Sequence, residues 1–484
     1  MADIKPLVLD VDGTFLKTDM LYECFWAGLG RDPFAVLRTS ARFFFRPAVL
    51  KARLAAIADL RTDLLPVNPA LKQLADQGRM AGREVVLASA SDRVLVKRLA
   101  AGHGLSERVF ASDGNTNLKG AAKAGDLVAS FGECGFDYAG NERADMAIWQ
   151  HAENALIVGE HRGLRDTLVA QGKNVTEIAG GWQWRDLLRA LRPQQWVKNV
   201  LLLLPMLAAH DVSLATLWLV ALGAVAFSGA ASSIYIVNDL LDLEADRLHA
   251  TKHRRPFASG AVPIRVGMAA SAALGLAALG LGALLGLWFF VAVVAYMILS
   301  LAYSLRLKRM RWVDIATLAS LYTLRVIAGA AAGQVVVSGF MLIFIFPVFI
   351  SLGCVKRLTE LTLAESDERL PGRGYGRTDR GDLLNVAGLG TVGALVIFFL
   401  YSLSEQARAL YPTQWILWLA MIPIAMWLVR MVRLGYFGRQ DYDPIVFAMR
   451  DKRGIGLLLI TLSMMFYAAG LWQEWFGLAQ AVAR

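Results

Sequence analysis

Asn238-Asp239-Leu240-Leu241-Asp242-Leu243-Glu244-Ala245-Asp246-Arg247-Leu248-His249, running on to Lys252 and Arg255-Pro256, is the stretch that decides how the chain is read. It follows directly on an apolar run, near 214–237, of the length that crosses a bilayer. At about 100° per residue, Asn238, Asp239, Asp242, Asp246 and His249 fall within an arc of about 100° of one helix. Three carboxylates on one face repel one another unless a cation sits among them. Mg²⁺ is hard and takes carboxylate oxygens together with phosphate oxygens, so the pattern predicts a metal-bridged phosphate site. Lys252 and Arg255 come next, placed to meet the remaining phosphate charge. The plainer alternative is a charged loop with caps and i,i+4 pairs, but such loops rarely gather so many acids on one face.

Outward from this stretch, apolar segments recur near 196–210, 214–237, 266–284, 286–304, 313–333, 336–355, 382–404, 413–433 and 456–475. These nine segments predict an all-α membrane domain over 181–484. The even-numbered ones end at loops near 239–265, 305–312, 356–381 and 434–453, which hold the bases, while the opposite loops are nearly free of Lys and Arg. The positive-inside rule then places the charged loops and the N-terminal domain in the cytoplasm, as for a multi-pass protein of a bacterial-type inner membrane. An odd number of helices leaves the C-terminus outside. The net charge of +10 is concentrated in these loops, which argues against a nucleic-acid partner. Cys24, Cys134 and Cys354 show no metal spacing and no disulfide framework.

Residues 1–180 read differently, with charges every few positions and no secretory leader at the start. Lys5–Leu9, Glu84–Ala88, Val109–Ala111, Phe136–Ala139 and Ala155–Val158 are short parallel-strand candidates separated by helical stretches, the pattern of an α/β fold. A helical insertion occupies about 20–80. Within it, Arg42-Phe43-Phe44-Phe45-Arg46 mixes aromatics and bases as interfacial helices do, although a helix packed on its own domain is the simpler reading. Leu7-Val8-Leu9-Asp10-Val11-Asp12-Gly13-Thr14 ends a strand on two aspartates in a glycine turn. One carboxylate so placed can attack phosphorus, the second can protonate the leaving group, and a metal can shield both.

Asn-Asp-x-x-Asp-x-x-x-Asp with a following Lys and Arg-Pro resembles the first aspartate-rich motif of the UbiA superfamily of intramembrane prenyltransferases, from about Leu191 onward. The resemblance implies that Asn238, Asp242 and Asp246 position Mg²⁺ and a diphosphate, with Asp239 adjacent. Where that superfamily has a second aspartate-rich motif, this chain reads Val355-Lys356-Arg357-Leu358-Thr359-Glu360-Leu361, then Ala364-Glu365, poorer in acids and richer in bases. Together with Arg192-Pro193-Gln194-Gln195-Trp196-Val197-Lys198-Asn199 and Asp443-Pro444-Ile445-Val446-Phe447, this is similar to decaprenyl-phosphate phosphoribosyltransferases. The partners so implied are phosphoribosyl pyrophosphate as donor and a polyprenyl phosphate as acceptor. Lys198, Lys356 and Arg357 would hold the lipid phosphate, Glu360 a metal or the ribose, and Tyr303, Arg306 and Lys308 the 5-phosphate. Interfacial anchoring would equally explain Tyr303 and Lys308, and snorkelling Lys198. Arg325, deep in an apolar segment, points to function or to a buried partner.

The order Asp10-x-Asp12, Ser89, Lys119, then Gly140-Asn141-Glu142-Arg143-Ala144-Asp145 resembles the haloacid dehalogenase-like phosphatases over about residues 5–165. This implies Asp10 as nucleophile, Asp12 as general acid and base, and Ser89 with Lys119 on the phosphoryl group. A second Mg²⁺ would lie at Asp10, Asp12, Asn141 and Asp145, and residues 20–80 would be the cap. Asn141 stands where that family more often has Asp, which weakens the expected metal affinity. The other readings are a transferase joining a polyprenyl diphosphate to a hydroxybenzoate-type aromatic acceptor, and a transporter or lipid-binding protein with an inactive soluble domain.

Overall fold

A computed structural model describes residues 5–336, 338–364, 373–440 and 443–476; Glu365 lies outside the described residues. The chain divides into two compact units, Met1–Leu191 with Tyr235–Ala272, and Arg192–Ile234 with Ala273–Arg484. The aspartate-rich stretch falls within the first of these units.

The first unit is built on six parallel strands: β1 Leu7–Asp10, β2 Val85–Asp92, β3 Val109–Ser112, β4 Asp137–Gly140, β5 Asn154–Val158 and β6 Asn174–Ile178. Their order is β3-β2-β1-β4-β5-β6, in register throughout except for an irregularity between Ser89 and Asp92. The sixth strand, absent from the sequence reading, is half polar (Asn174-Val-Thr-Glu-Ile178) and largely exposed, as befits an edge. β1 is fully buried, and its alternating side chains feed two cores: Leu7 and Leu9 join Met20, Val36 and Leu71, whereas Val8 joins Phe136, Tyr138 and Trp149. Strand order reverses between β1 and β4, so a crevice opens at the C-terminal end of β1, where Asp10 stands. The insertion comprises α1 Met20–Arg31, α2 Pro33–Phe43, α3 Pro47–Ala58 and α4 Pro69–Met80. Asp19 caps α1 by accepting from the Leu21 amide, and prolines open the other three. α5 Arg93–Gly102 and α6 Ala121–Phe131 complete the parts that bear on the site.

The helix Leu214–Leu241 begins in the second unit and ends in the first. Asp242 leaves helical geometry at φ −99° and ψ 13°, and a short helix Leu243–Leu248 follows. The segment is locked against the N-terminal domain at Gly260. With φ at +68°, a Cβ there would stand 2.7 Å from Lys17 Cβ, so both backbone sign and space call for glycine.

Among the described residues, seven helices are long and apolar enough to span a membrane: Leu214–Leu241, Ile264–Leu285, Leu287–Leu305, Val313–Gly333, Gly339–Thr362, Arg377–Ser402 and Gln414–Tyr436. The expected first segment, 196–210, instead forms a 3-10 helix Pro193–Leu203 and a five-residue helix Leu204–Ala208, with a proline opening each. The expected last one is the 17-residue helix Lys452–Ala468. Val326, Phe349, Leu417, Trp427 and Met431 lie in the core of the second unit.

Candidate active sites

At the end of β1, Asp10 Oδ1 accepts from Lys123 Nζ at 2.7 Å and Oδ2 from the Thr14 hydroxyl at 3.2 Å. Burial pushes the Asp10 carboxyl up, Lys123 opposes it, and Asp145 and Asp12 add to it, leaving it at about 7. Burial lowers the Lys123 ammonium, but Asp10 and Asp145 outweigh it and hold the group above its ordinary value. Asp12 accepts from the Met20 amide at 2.8 Å and from the hydroxyls of Ser89 and Ser91 at 3.0 and 2.7 Å. Asp145 receives the Tyr138 hydroxyl at 2.9 Å and the amides of Asn141 and Glu142. Asn141 accepts from Thr14 and donates to the Gly13 carbonyl, where the φ of +73° and a would-be Cβ 2.5 Å from Asn141 exclude any side chain.

Asp10, Asp12, Ser89, Asn141 and Asp145 are thus brought together. Lys119 is not: it faces outward and pairs with Glu142 at 3.6 Å, and Lys123, one helical turn on in α6, takes the place on Asp10. The two lysines stand at i and i+4, and only the fold distinguishes them, since it brings Lys123 to Asp10 and Lys119 to Glu142. Lys51, on α3 of the helical insertion, reaches the Ala90 carbonyl and Asn117 at the same crevice and acts electrostatically on Asp12 and Asp19.

Of the aspartate-rich stretch, Asp239 and Asp246 are buried and share one guanidinium, Arg255 Nη1, at 3.2 and 2.7 Å. Asp242 stands at the start of the following short helix without a side-chain cap, and its backbone keeps the ladder, its amide on Asn238 O and its carbonyl accepting from Asp246 N. His249, expected on the same face, ends the short helix in extended geometry and is exposed; its Nδ1 accepts from the Thr251 amide. Lys252 is exposed in a short turn. Asn238 Oδ1 is buried and receives no hydrogen bond. Among the described residues no three His, Cys, Asp or Glu side chains converge to enclose a metal by themselves. The donor set still fits Mg²⁺, which commonly takes one or two carboxylates and completes its shell with waters and substrate phosphate. The unsatisfied Asn238 Oδ1 is an oxygen that such an ion would take as a ligand.

The second unit gathers charge in two linked clusters. Lys198 and Lys356 both reach Asp443, at 2.5 and 3.8 Å. Burial pushes the Asp443 carboxyl up, yet the two lysines outweigh it and hold it at about 2. Arg357 is wholly buried, with Nε 2.5 Å from Asp314 Oδ2, Nη2 on the Tyr303 hydroxyl at 2.8 Å, and Nη1 on Glu360. Tyr303 donates to Asp314 and accepts from Arg373. Arg357 and Glu360, expected to meet substrate, are therefore first of all each other's partners; Arg306 is exposed and Lys308 half-buried. Arg325 has its buried partners: the Tyr296 hydroxyl, the Leu321 carbonyl, Asn199 and the faces of Tyr296 and Phe227. An apolar cavity of about 690 Å³ lies among Leu201, Leu204, Phe344, Phe349, Trp427 and Phe466.

Residues 200–450 match the UbiA prenyltransferase family, just over half of the chain. The chain belongs to the UbiA prenyltransferase family. An uncharacterised protein of Sinorhizobium fredii is 33% identical over 95% of this chain and 90% of its own length, so the two-part architecture recurs there. A decaprenyl-phosphate phosphoribosyltransferase of Mycobacterium tuberculosis is 34% identical over 55% of this chain and 88% of its own. A UbiA homologue of Archaeoglobus fulgidus solved with geranyl diphosphate and Mg²⁺ covers 59% of this chain and 99% of its own, at 17% identity and a TM-score of 0.43. This UbiA-family chain is accordingly a multi-pass membrane transferase with a parallel-sheet α/β domain at its N-terminus.

Asp314 is the residue of this UbiA-family domain that the sequence reading missed. It opens the helix Val313–Gly333 and is wholly buried under Arg357, Tyr303 and Arg373. An acid in the first turn of an apolar helix ordinarily reads as a dipole contact, so only the Arg357 opposite it could have drawn attention. Lys51, Ser91 and Thr14 were missed in the α/β domain because hydroxyls and a lone cap lysine carry no spacing signal.

Proposed function

We propose that the chain transfers phosphoribose from phosphoribosyl pyrophosphate to a polyprenyl phosphate, and that its α/β domain then removes the 5-phosphate of the lipid-linked product. The observation that carries the transfer step is the sharing of Asp443 by Lys198 and Lys356. Two ammonium groups on one carboxylate leave a positive charge, which suits a phosphate monoester at the head of a lipid. The apolar cavity in the same unit is of the volume and lining that an isoprenoid tail requires. The similarity to decaprenyl-phosphate phosphoribosyltransferases supports the same pair of substrates.

Asn238 and Asp242, with Asp246, are the residues that would hold Mg²⁺ in the transferase. The ion would neutralise the pyrophosphate leaving group. Asp239 and Asp246 keep Arg255 directed into the stretch, where its remaining guanidinium nitrogens can meet a diphosphate oxygen. The lipid phosphate oxygen attacks C1 of the ribose, the C1–O bond to pyrophosphate breaks, and pyrophosphate leaves with the electron pair. A cytoplasmic placement of the charged loops, the α/β domain and both active sites accords with the positive-inside pattern.

In the α/β domain, Asp10 attacks phosphorus of the 5-phosphate while Asp12 protonates the departing ribose oxygen. Water then cleaves the aspartyl phosphate, giving up its proton to Asp12 and releasing inorganic phosphate. Lys123 holds Asp10 in line and meets the charge of the phosphoryl oxygens. Ser89 and Ser91 orient Asp12. Asp10, Asp12 and Asp145 with Asn141 would hold a second Mg²⁺, which would shield the two aspartates from the phosphate.

Purified protein in detergent, given Mg²⁺, tests the substrate pair. Label is expected in lipid extracts from phosphoribosyl pyrophosphate with a polyprenyl phosphate. Label only from a polyprenyl diphosphate with 4-hydroxybenzoate would replace this reading with that of an aromatic prenyltransferase.

A further inference from the structure

Between Asp32 and Asp59 the chain has no acidic residue, yet it carries Arg38, Arg42, Arg46, Lys51 and Arg53. This stretch is the hairpin of α2 and α3 in the cap. Helices of a globular domain turn their apolar stripe inward. Here α2 does the reverse: Val36 is its one buried residue, whereas Phe34 and Leu37 are 89 and 57% exposed, and Phe44 and Phe45 in the turn after it are 69 and 93% exposed. Phe34, Leu37, Ala41 and Phe44 follow at spacings of three and four, so they form one face. Beside it, Arg38, Thr39, Arg42, Phe43 and Arg53 line a pocket of about 180 Å³. Arg42 and Arg53 both lie over the Phe43 ring, at 5.5 and 6.0 Å from its centroid. None of Arg38, Arg42, Arg46 and Arg53 has an acidic partner among the described residues, whereas Lys51 turns away to Ala90 and Asn117.

We propose that this hairpin is a membrane-surface anchor whose arginine pocket binds the phosphate of an anionic phospholipid. Three guanidinium groups without a carboxylate are complementary to a phosphodiester, and each base near an anionic surface adds to the attraction. The exposed phenylalanines supply apolar area that enters the boundary between headgroups and acyl chains. Such a surface is at hand, since among the described residues of the same chain seven helices are long and apolar enough to span a membrane.

The test uses full-length protein in nanodiscs, with Cys134 replaced by serine and an environment-sensitive dye on Phe45→Cys; Cys24 and Cys354 are buried. In discs containing phosphatidylglycerol, lipids brominated in the acyl chain should quench the dye about twofold or more, as for an interfacial side chain. In pure phosphatidylcholine discs, and in an Arg38→Gln/Arg42→Gln/Arg53→Gln variant, that quenching should fall away. These arginines are exposed, so the variant should elute and melt like the parent. A dye that stays in water and escapes the brominated lipid in phosphatidylglycerol discs would overturn the proposal. Equal quenching with and without anionic lipid, or with and without the arginines, would overturn it too.

Discussion

Glu23 of the α/β domain and Arg247 of the aspartate-rich stretch form a buried, two-pronged ion pair, Nη2 to Oε1 at 2.6 Å and Nη1 to Oε2 at 3.0 Å. Glu23 also accepts from the Thr18 hydroxyl at 2.6 Å, and Arg247 Nε donates to the Ala258 carbonyl at 3.1 Å. The stretch expected to bind diphosphate is thereby tied to the loop that follows Asp12. Removing one partner strands a buried charge at a cost of about 3 kcal/mol. Glu23→Gln should therefore lower the unfolding temperature and the rate of lipid labelling together. Glu23→Gln with Arg247→Gln should cost less than the two single changes summed, by a double-mutant cycle. Strict additivity would mean that the pair couples nothing.

Lys123 and Lys119 separate cleanly in the α/β domain. Lys123→Met should abolish release of phosphate from a phosphoester, because it removes the cation 2.7 Å from Asp10. Lys119→Ala, which removes only an exposed pair with Glu142, should keep activity within about twofold of wild type. The reverse ranking would show that the resting arrangement at Asp10 is not the working one.

Asn238 offers a readout that is independent of folding. Its buried carbonyl oxygen has no donor, so Asn238→Ala should leave stability in chelator unchanged or slightly raised. The Mg²⁺ concentration for half-maximal lipid labelling should nevertheless rise about tenfold, the equivalent of ~1.4 kcal/mol. An unaltered Mg²⁺ requirement would remove Asn238 from the metal site.

Asp314 and Tyr303 differ in what they hold. Asp314→Asn leaves Arg357 buried with Glu360 as its remaining carboxylate and should cost about 3 kcal/mol. Tyr303→Phe deletes a neutral hydroxyl and should cost about 1 kcal/mol. Unfolding temperatures in one detergent check the order; a larger effect from Tyr303→Phe would contradict it.

The α/β class was legible because β1 is an uninterrupted apolar run closing on Asp10, and burial on both faces demands that composition. β6 was not, since an exposed edge strand of mixed polarity has neither an apolar run nor a clean period. The aspartate-rich stretch announced a charged helix face, and Asp239 and Asp246 do converge, but on Arg255. Their neutralisation by an arginine nine residues beyond Asp246 depends on the break at Asp242 and the turn after His249, which no helical period encodes. Attachment of this stretch to the N-terminal domain was hidden for the same reason: Glu23 and Arg247 are 224 residues apart, and neither looks unusual among its neighbours.

The central claim, that one chain both makes and dephosphorylates a lipid-linked phosphoribose, is tested most directly by the mass of the lipid product. Wild type, Asp10→Asn and Asp242→Asn would each be given phosphoribosyl pyrophosphate, a polyprenyl phosphate and Mg²⁺. The account predicts a pentose without its 5-phosphate from wild type, the same lipid still carrying that phosphate from Asp10→Asn, and no product from Asp242→Asn. Identical products from wild type and Asp10→Asn, or undiminished product from Asp242→Asn, would contradict it.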